Sequence, residues 1–121
     1  VSLIDANTDN VYYSLFKNNN GQYEKADEYK SDNIQNILTN LSNYNTSFIF
    51  VGTGAQLHHD LIAQTYPNSQ FANETQNIQT SISIGKSAYN KFKNGIYGDS
   101  NSLLPIYLKK SQAERNLNGE K

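Results

Sequence analysis

The sequence predicts a small α/β domain. Two short apolar runs near the start of the chain are separated by turn-forming residues, as is typical of antiparallel strands. A stretch with apolar residues at helical spacing follows, and then a short β-branched and aromatic run leads directly into more helical sequence. Strands followed by alternating helix and strand indicate helices packed on a sheet.

The first strands are expected to form an antiparallel meander. Residues 1–4 and 11–16 are rich in β-branched and aromatic side chains, and the second run is expected to be covered on both faces. The polar residues 5–10 form the turn between them. Asn20-Gly21 is a preferred pair for a turn with positive φ, so the chain is expected to reverse into a third strand over 22–29.

The first helix is expected to begin after Ser31, which is a plausible N-cap, with Asp32 in the first turn. Its apolar residues recur at the i, i+3, i+4, i+7 spacing of a helix face: Ile34, Ile37, Leu38 and Leu41.

Residues 48–51 form a continuous apolar run that suits a central strand buried on both faces. The run ends at Gly52-Thr53-Gly54 and leads into a second helix that Pro67 stops. The apolar residues of that helix are Leu57, Leu61 and Ile62.

A third helix is expected from Ile78 to Asn94-Gly95, a common C-terminal stop. One face carries Ile78, Ile82, Gly85, Ala88, Tyr89 and Phe92. We expect one core between the strand at 48–51 and the helix faces around Ile37, Leu61 and Tyr89. The element order is that of a ribonuclease H-like layer arrangement.

Residues 103–108 should be extended, because Pro105 disfavours helix in the residue before it. An unprotected apolar run would invite strand pairing, so this segment should dock on its own domain or on a partner. Because side chains alternate along an extended segment, two sets of these residues should face opposite sides. The first set is Leu104, Ile106 and Leu108, and the second is Leu103, Pro105 and Tyr107.

The composition limits the classes of protein to which the chain could belong. The chain has 121 residues, enough for one domain, and no cysteine, which excludes disulfides and thiolate chemistry. No apolar run approaches the length of a membrane span, so no membrane association is expected. The chain begins at Val1 and contains no methionine, from which we expect a further segment upstream.

Charge is unevenly distributed. Residues 1–85 hold three lysines against eight acidic residues, whereas 86–121 hold six lysines and one arginine against three acids. The basic end is either a solvated surface or a patch for RNA or an acidic partner. No aromatic residues are interleaved with these lysines as a base-stacking platform would need.

No metal site is expected. His58 and His59 are the two histidines, and adjacent residues on a helix point about 100° apart, so they do not chelate one ion as i, i+4 histidines do. Surface histidines are the plainer interpretation. No Gly-x-Ser-x-Gly motif is present, and no complete active site is visible.

Two positions are candidates for phosphate or nucleotide contact. Asp5 ends the first strand, where a carboxylate could hold a metal or a water, although turn-capping is the simpler role. The turn after it lacks glycine, which leaves its N–H groups poorly placed for a phosphate. Gly52-Thr53-Gly54 stands between a strand and a helix, where glycines either admit a ligand to the backbone or simply allow a tight turn.

Taken in order, three segments resemble the C-terminal half of the TsaB family of bacterial tRNA threonylcarbamoyladenosine biosynthesis proteins. They are Ile4-Asp5-Ala6 with the following turn and Val11-Tyr12, the sequence FVGTGA at 50–55, and the closing LPIYLKKSQAE at 104–114. The resemblance covers essentially the whole chain. The family has also been labelled glycoprotease-like or metallopeptidase-like.

The resemblance implies an actin-like ATPase fold made of two ribonuclease H-like lobes. Residues 1–121 would be a single domain, the second lobe, with the first lobe outside this chain. Gly52, Thr53 and Gly54 would match the strand end near the adenosine pocket. The Asp5 turn would match a phosphate loop without its glycines, which implies a degenerate nucleotide site.

The function implied is a cytoplasmic, non-catalytic scaffold or activator of the TsaD-type ligase, which transfers a threonylcarbamoyl group to adenosine next to the tRNA anticodon. ATP and Mg²⁺ would belong to the partner, with no cofactor in this chain. A TsaE-type ATPase and a homodimer fit the same resemblance, and tRNA would be met through the complex.

The segment Tyr107, Leu108, Lys109 and Lys110 would be an interface with the first lobe or with a partner. Two alternatives stay open: an ATP-binding or glycoprotease-like enzyme lobe that is incomplete without its N-terminal half, and an interaction domain whose basic end contacts tRNA or protein.

Overall fold

A computed structural model describes residues 1–109, apart from the side chains of Gln22 and Ser102. The chain divides into two compact units, Val1–Asn77 and Ile78–Lys121, the second being described as far as residue 109. The mixed α/β architecture expected from the sequence is confirmed.

The strands of the described residues are β1 Ser2–Asp5, β2 Asn10–Ser14, β3 Phe16–Asn19, β4 Gln22–Lys25, β5 Lys30–Asn33, β6 Ile49–Phe50 and β7 Gln70–Phe71. The helices are α1 Ile34–Leu41, α2 Thr53–Leu57, α3 His59–Thr65, α4 Glu74–Asn77 and α5 Ser81–Lys93, with a 3₁₀ turn at Ser100–Ser102. Within residues 1–109, no helix combines the length and the apolar character needed to cross a lipid bilayer.

The predicted antiparallel meander is confirmed as a three-stranded sheet with the order β1-β2-β5. Ile4 lies opposite Tyr12, and Tyr12 lies opposite Ser31. The third strand is displaced from the predicted 22–29 to Lys30–Asn33. The first half of the predicted stretch, Gln22–Lys25, belongs instead to a separate hairpin.

Backbone hydrogen bonds connect β1 to the chain just beyond β6. Ser2 forms a parallel bridge with Val51, and the Leu3 N–H donates to the Val51 carbonyl at 2.8 Å. β6 in turn pairs in parallel with β7. The five strands therefore follow one another in the order β5-β2-β1-β6-β7, and β2 runs opposite to the other four.

The hairpin of β3 and β4 leaves the sheet after β2. Asn20 and Gly21 have φ values of 52° and 86°, which are the positive angles predicted for this turn. At the base, the Ala26 N–H donates to the Leu15 carbonyl at 2.7 Å. The expected single strand over 11–16 is therefore wrong: it ends at Ser14, and Phe16 is 38% exposed rather than covered.

Among the described residues, the whole buried hydrophobic core lies in the first unit. Its buried members are Leu3, Val11, Leu15, Ile34, Ile37, Leu38, Leu41, Phe48, Phe50, Ala55 and Ile62. The predicted apolar face of α1 is confirmed in full. Tyr89 was expected in the core and is 61% exposed.

β6 is covered on one face only. Phe50 is fully buried, but Ile49 is 50% exposed. Successive residues of a strand point to opposite sides of the sheet, so the expectation of burial on both faces is wrong.

Helix α1 begins later than predicted. Asn33 is its N-cap, and the Asn33 Oδ1 accepts a hydrogen bond from the Gln35 N–H at 2.9 Å. Ser31 and Asp32 lie in β5 instead. Pairing with β2 holds these two residues extended, and the next residue with a capping side chain takes the role.

The predicted second helix is two helices, α2 and α3, which are separated at His58 with φ −102° and ψ 22°. Ile62 is buried as expected, whereas Leu57 is 62% exposed. The two-residue strand β7 after Pro67 was not predicted, because a strand of that length has no readable periodicity.

In the second unit, α5 begins at Ser81 rather than at Ile78. Thr80 and Ser83 form a reciprocal capping box. At the other end, the Gly95 N–H bonds to the Phe92 carbonyl and the Ile96 N–H bonds to the Lys91 carbonyl, as in a Schellman motif. The predicted stop at Asn94-Gly95 is confirmed.

Residues 103–108 are neither helix nor strand, as Pro105 led us to expect. Leu104 is 75% exposed and Tyr107 is 85% exposed, so both alternating sets include uncovered side chains. Lys110, the last residue of the proposed interface, lies outside the described residues.

Candidate functional site

The nucleotide-contact candidates meet where β1 and β6 end. Because Ser2 bridges to Val51 in parallel, the residues after each strand come together. The Asp5 N–H donates to the Thr53 Oγ1 at 3.1 Å. The structure thus brings Asp5 close to Gly52-Thr53-Gly54, as a single site would require.

Both glycines pack closely against the sheet, Gly52 against β1 and Gly54 against β1 and β2. Gly52 has φ 106°, and a Cβ on it would lie 2.2 Å from the Leu3 carbonyl oxygen. A Cβ on Gly54 would lie 3.0 Å from the Val11 Cγ1. The Gly-x-Gly pattern therefore has a full structural explanation at this strand-to-helix turn.

The polar groups of the junction are engaged within the chain. The Gly52 N–H donates to the Asn77 Oδ1 at 2.7 Å, and the Asn77 Nδ2 donates to the Ala72 carbonyl at 3.2 Å. The Asp5 Oδ1 accepts from the Asn7 N–H at 2.8 Å, which makes Asp5 a turn-capping residue. The contact of Asn77 with Gly52 was not predicted from the sequence, because a single asparagine 25 residues from Gly52 belongs to no recognisable motif.

The turn after Asp5 adopts an unusual backbone. Asn7, Thr8 and Asp9 have φ values of 63°, 53° and 59°, and each such non-glycine residue costs on the order of 1–3 kcal/mol. The Ile34 N–H donates to the Asp9 carbonyl at 2.9 Å, which ties the turn to the start of α1. The absence of glycine therefore does not keep this turn out of the left-handed region.

The histidines do not lie at this junction: His58 lies between α2 and α3, and His59 begins α3. The His59 ring lies 4.3 Å from the Phe71 ring, and the His59 Nδ1 lies 3.2 Å from the Asp60 Oδ1. The His58 Nε2 is buried and has no hydrogen-bond partner among the described residues. Across residues 1–109, no three His, Cys, Asp or Glu side chains come together as metal ligands.

A cleft of the first unit lies elsewhere, between α1 and α3. It has a volume of about 370 Å³, and Gln35, Leu38 and Leu61 are among its lining residues. Tyr66 also lines the cleft, and its hydroxyl donates to the Leu38 carbonyl at 2.6 Å. Burial raises the pKa of Tyr66. Among the residues that the structure describes, no carboxylate, lysine or histidine lines the cleft.

The residues proposed for the interface differ in their solvent exposure. Tyr107 is 85% exposed, while Leu108 and Lys109 are half-buried. These residues belong to the second unit, and the nucleotide-contact candidates belong to the first.

Neither a protein-family model nor a curated protein sequence matches this chain.

Proposed function

We propose that the first unit is a ribonuclease H-like lobe of the actin-like class. The strand order β5-β2-β1-β6-β7, with β2 running opposite to the rest, supports this proposal. So do the helical connections from β5 to β6 and from β6 to β7, since parallel strands need crossover connections.

Within that class, the function we propose is that of a TsaB-type subunit. It would be a cytoplasmic, non-catalytic scaffold that activates a TsaD-type ligase for threonylcarbamoyl transfer to adenosine beside the tRNA anticodon. ATP and Mg²⁺ belong to the partner proteins, which include a TsaE-type ATPase. The tRNA is met through the complex.

One observation carries the non-catalytic part of the proposal. Three groups at this junction are already bonded inside the chain: the Gly52 N–H donates to the Asn77 Oδ1, the Asp5 N–H donates to the Thr53 Oγ1, and the Asp5 carboxylate, which could hold a metal but would repel a phosphate, accepts from the Asn7 N–H. A phosphate that took the Gly52 N–H would have to displace the partly buried bond to Asn77, and a buried polar group left unpaired costs about 1–3 kcal/mol.

Calorimetric titration with ATP and Mg²⁺ tests this part. We expect no binding tighter than a Kd of about 1 mM, which corresponds to roughly −4 kcal/mol. Thr53→Val removes one hydroxyl at an exposed position with little change in shape. Micromolar affinity that Thr53→Val abolished would favour the ATP-binding enzyme lobe instead.

Reconstitution tests the scaffold role. The TsaD-type ligase, the TsaE-type ATPase, tRNA and threonylcarbamoyl-adenylate are incubated with and without this chain, and with any longer protein that contains it. The modified nucleoside is measured by mass spectrometry. We expect modification to depend on the added protein and to survive Asp5→Ala. Equal modification without it, and no complex by size-exclusion chromatography, would contradict the role.

The Tyr107 segment supplies a further test of assembly. Because Tyr107 is 85% exposed, Tyr107→Ala should change the stability of the chain by less than about 0.5 kcal/mol. We expect it to weaken the complex with the ligase subunit. Leu104→Ala, at a position 75% exposed on the other alternating set, is the control and should assemble normally. If both variants assembled like the parent, this segment would not be the interface.

A further inference from the structure

Helix α5 presents an apolar stripe that the other described residues of the second unit leave uncovered. Ile82 is 69% exposed, Tyr89 is 61% exposed and Phe92 is 67% exposed. With Gly85 they follow the 3-4-3 spacing of the a and d positions of a heptad. The helix is well defined at both ends by its capping box and its Schellman motif, so the stripe is built on a regular scaffold.

The charges beside the stripe are placed to one side of it. In the same heptad frame, Lys86 and Lys93 both occupy e positions, while the g positions are Ser81 and Ala88. The Lys93 Nζ lies 5.8 Å from the centre of the Tyr89 ring, which places this ammonium group along the edge of the stripe. Two positive charges thus line one flank.

This pattern discriminates against a second copy of the same helix. In an antiparallel pair, e positions face e positions, so lysines would meet lysines. In a parallel pair, g faces e of the next heptad, so Ser81 and Ala88 would meet Lys86 and Lys93 without any ion pair. Carboxylates on a different helix would satisfy both lysines and would leave the apolar residues free to interdigitate.

We propose that the α5 stripe is a docking surface for an amphipathic helix of another protein that carries acidic side chains opposite Lys86 and Lys93. Gly85 leaves a recess between Ile82 and Tyr89, since a Cβ there would meet nothing within 4 Å. A large apolar side chain of the partner would enter this recess. The inference does not depend on the proposed role in tRNA modification.

Two synthetic three-heptad peptides serve as probes, both with Leu at a and d, one with Glu and the other with Lys at e and g. Fluorescence anisotropy measures their binding to the full chain. We expect the Glu peptide to bind at least about tenfold more tightly than the Lys peptide. In the double variant Lys86→Glu, Lys93→Glu the preference should reverse, and circular dichroism verifies that this variant is folded.

Several results would overturn the proposal: binding of neither peptide, equal binding of both, or a preference that the double variant does not reverse. Light scattering that showed a dimer broken by Phe92→Ala would identify a second copy as the occupant. Binding to phosphatidylglycerol vesicles without binding to the Glu peptide would identify a lipid surface.

Discussion

At the scale of single residues, Gly52 is the position that tolerates least change. Its φ of 106° suits glycine, and a Cβ would lie 2.2 Å from a backbone oxygen of β1. We expect Gly52→Ala to lower the free energy of unfolding by about 3 kcal/mol or more. Urea denaturation measures this.

Gly21→Ala is the matched control for Gly52→Ala. Gly21 also has positive φ, at 86°, but a Cβ there would meet nothing within 4 Å. Gly21→Ala should therefore lower the free energy of unfolding by only about 1 kcal/mol, which is the part of the effect that comes from the positive φ alone. Equal costs at the two positions would mean that the contact with Leu3 is not what selects glycine at Gly52.

Phe50 and Ile49 are neighbours with very different burial. Phe50 is fully buried and Ile49 is 50% exposed. Phe50→Ala should cost about 3–5 kcal/mol because it leaves a cavity in the core, whereas Ile49→Ala should cost about 1 kcal/mol. Thermal unfolding of both variants checks the difference. Similar losses of stability in the two variants would mean that β6 is buried on both faces, as the sequence predicts.

At the scale of elements, α5 depends on its cap. Thr80 bonds reciprocally with Ser83, and α5 has no buried side chain to hold it in place otherwise. Thr80→Ala should destabilise the helix by about 1 kcal/mol, seen as faster amide hydrogen exchange over 81–93. Thr80→Ser keeps the hydroxyl and should exchange like the parent. Unchanged exchange in Thr80→Ala would show that the cap contributes nothing.

The segment between β4 and β5 should respond to acid. Hydrogen bonding to Lys30, at 2.7 Å, and then to the Glu28 N–H lowers the pKa of Asp27 below its ordinary 3.8. When the pKa of a carboxyl group is lower in the folded protein than in the unfolded protein, the ionised group stabilises the fold at pH values above its unfolded-state pKa. This stabilisation is lost as the pH falls through the folded-state pKa. Asp27→Asn should therefore be slightly less stable than the parent near neutral pH.

The stability difference between Asp27→Asn and the parent should disappear once the pH falls well below 3.8. Urea unfolding at a series of pH values measures it. A difference that persisted undiminished at low pH would assign the effect to packing rather than to the ionised carboxylate.

At the scale of the whole molecule, the first unit contains the entire buried core of the described residues. We expect a fragment of residues 1–77 to fold by itself and to unfold cooperatively in urea, as small single domains do. Phe50→Ala in the fragment should abolish that transition. A fragment without a cooperative transition, alongside a full chain that has one, would favour the single domain over 1–121 expected from the sequence.

The sequence by itself determined the features that depend on local pattern. The face of α1, the Asn20-Gly21 turn, the end of α5 and the first two antiparallel strands all follow from side-chain periodicity or from backbone preference within a few residues. It also determined that Asp5 and Gly52-Thr53-Gly54 stood at strand ends.

Only the tertiary structure decided the features that depend on residues distant in the chain. Ser31 lost the capping role because β5 pairs with β2, and Ile49 is exposed because it points to the side of the sheet opposite to the buried Phe50. Asn77 reached Gly52 across 25 residues of chain. Burial and pairing are set by contacts between distant segments, and local preference yields to them because a paired backbone and a filled core contribute more free energy than any single cap or turn.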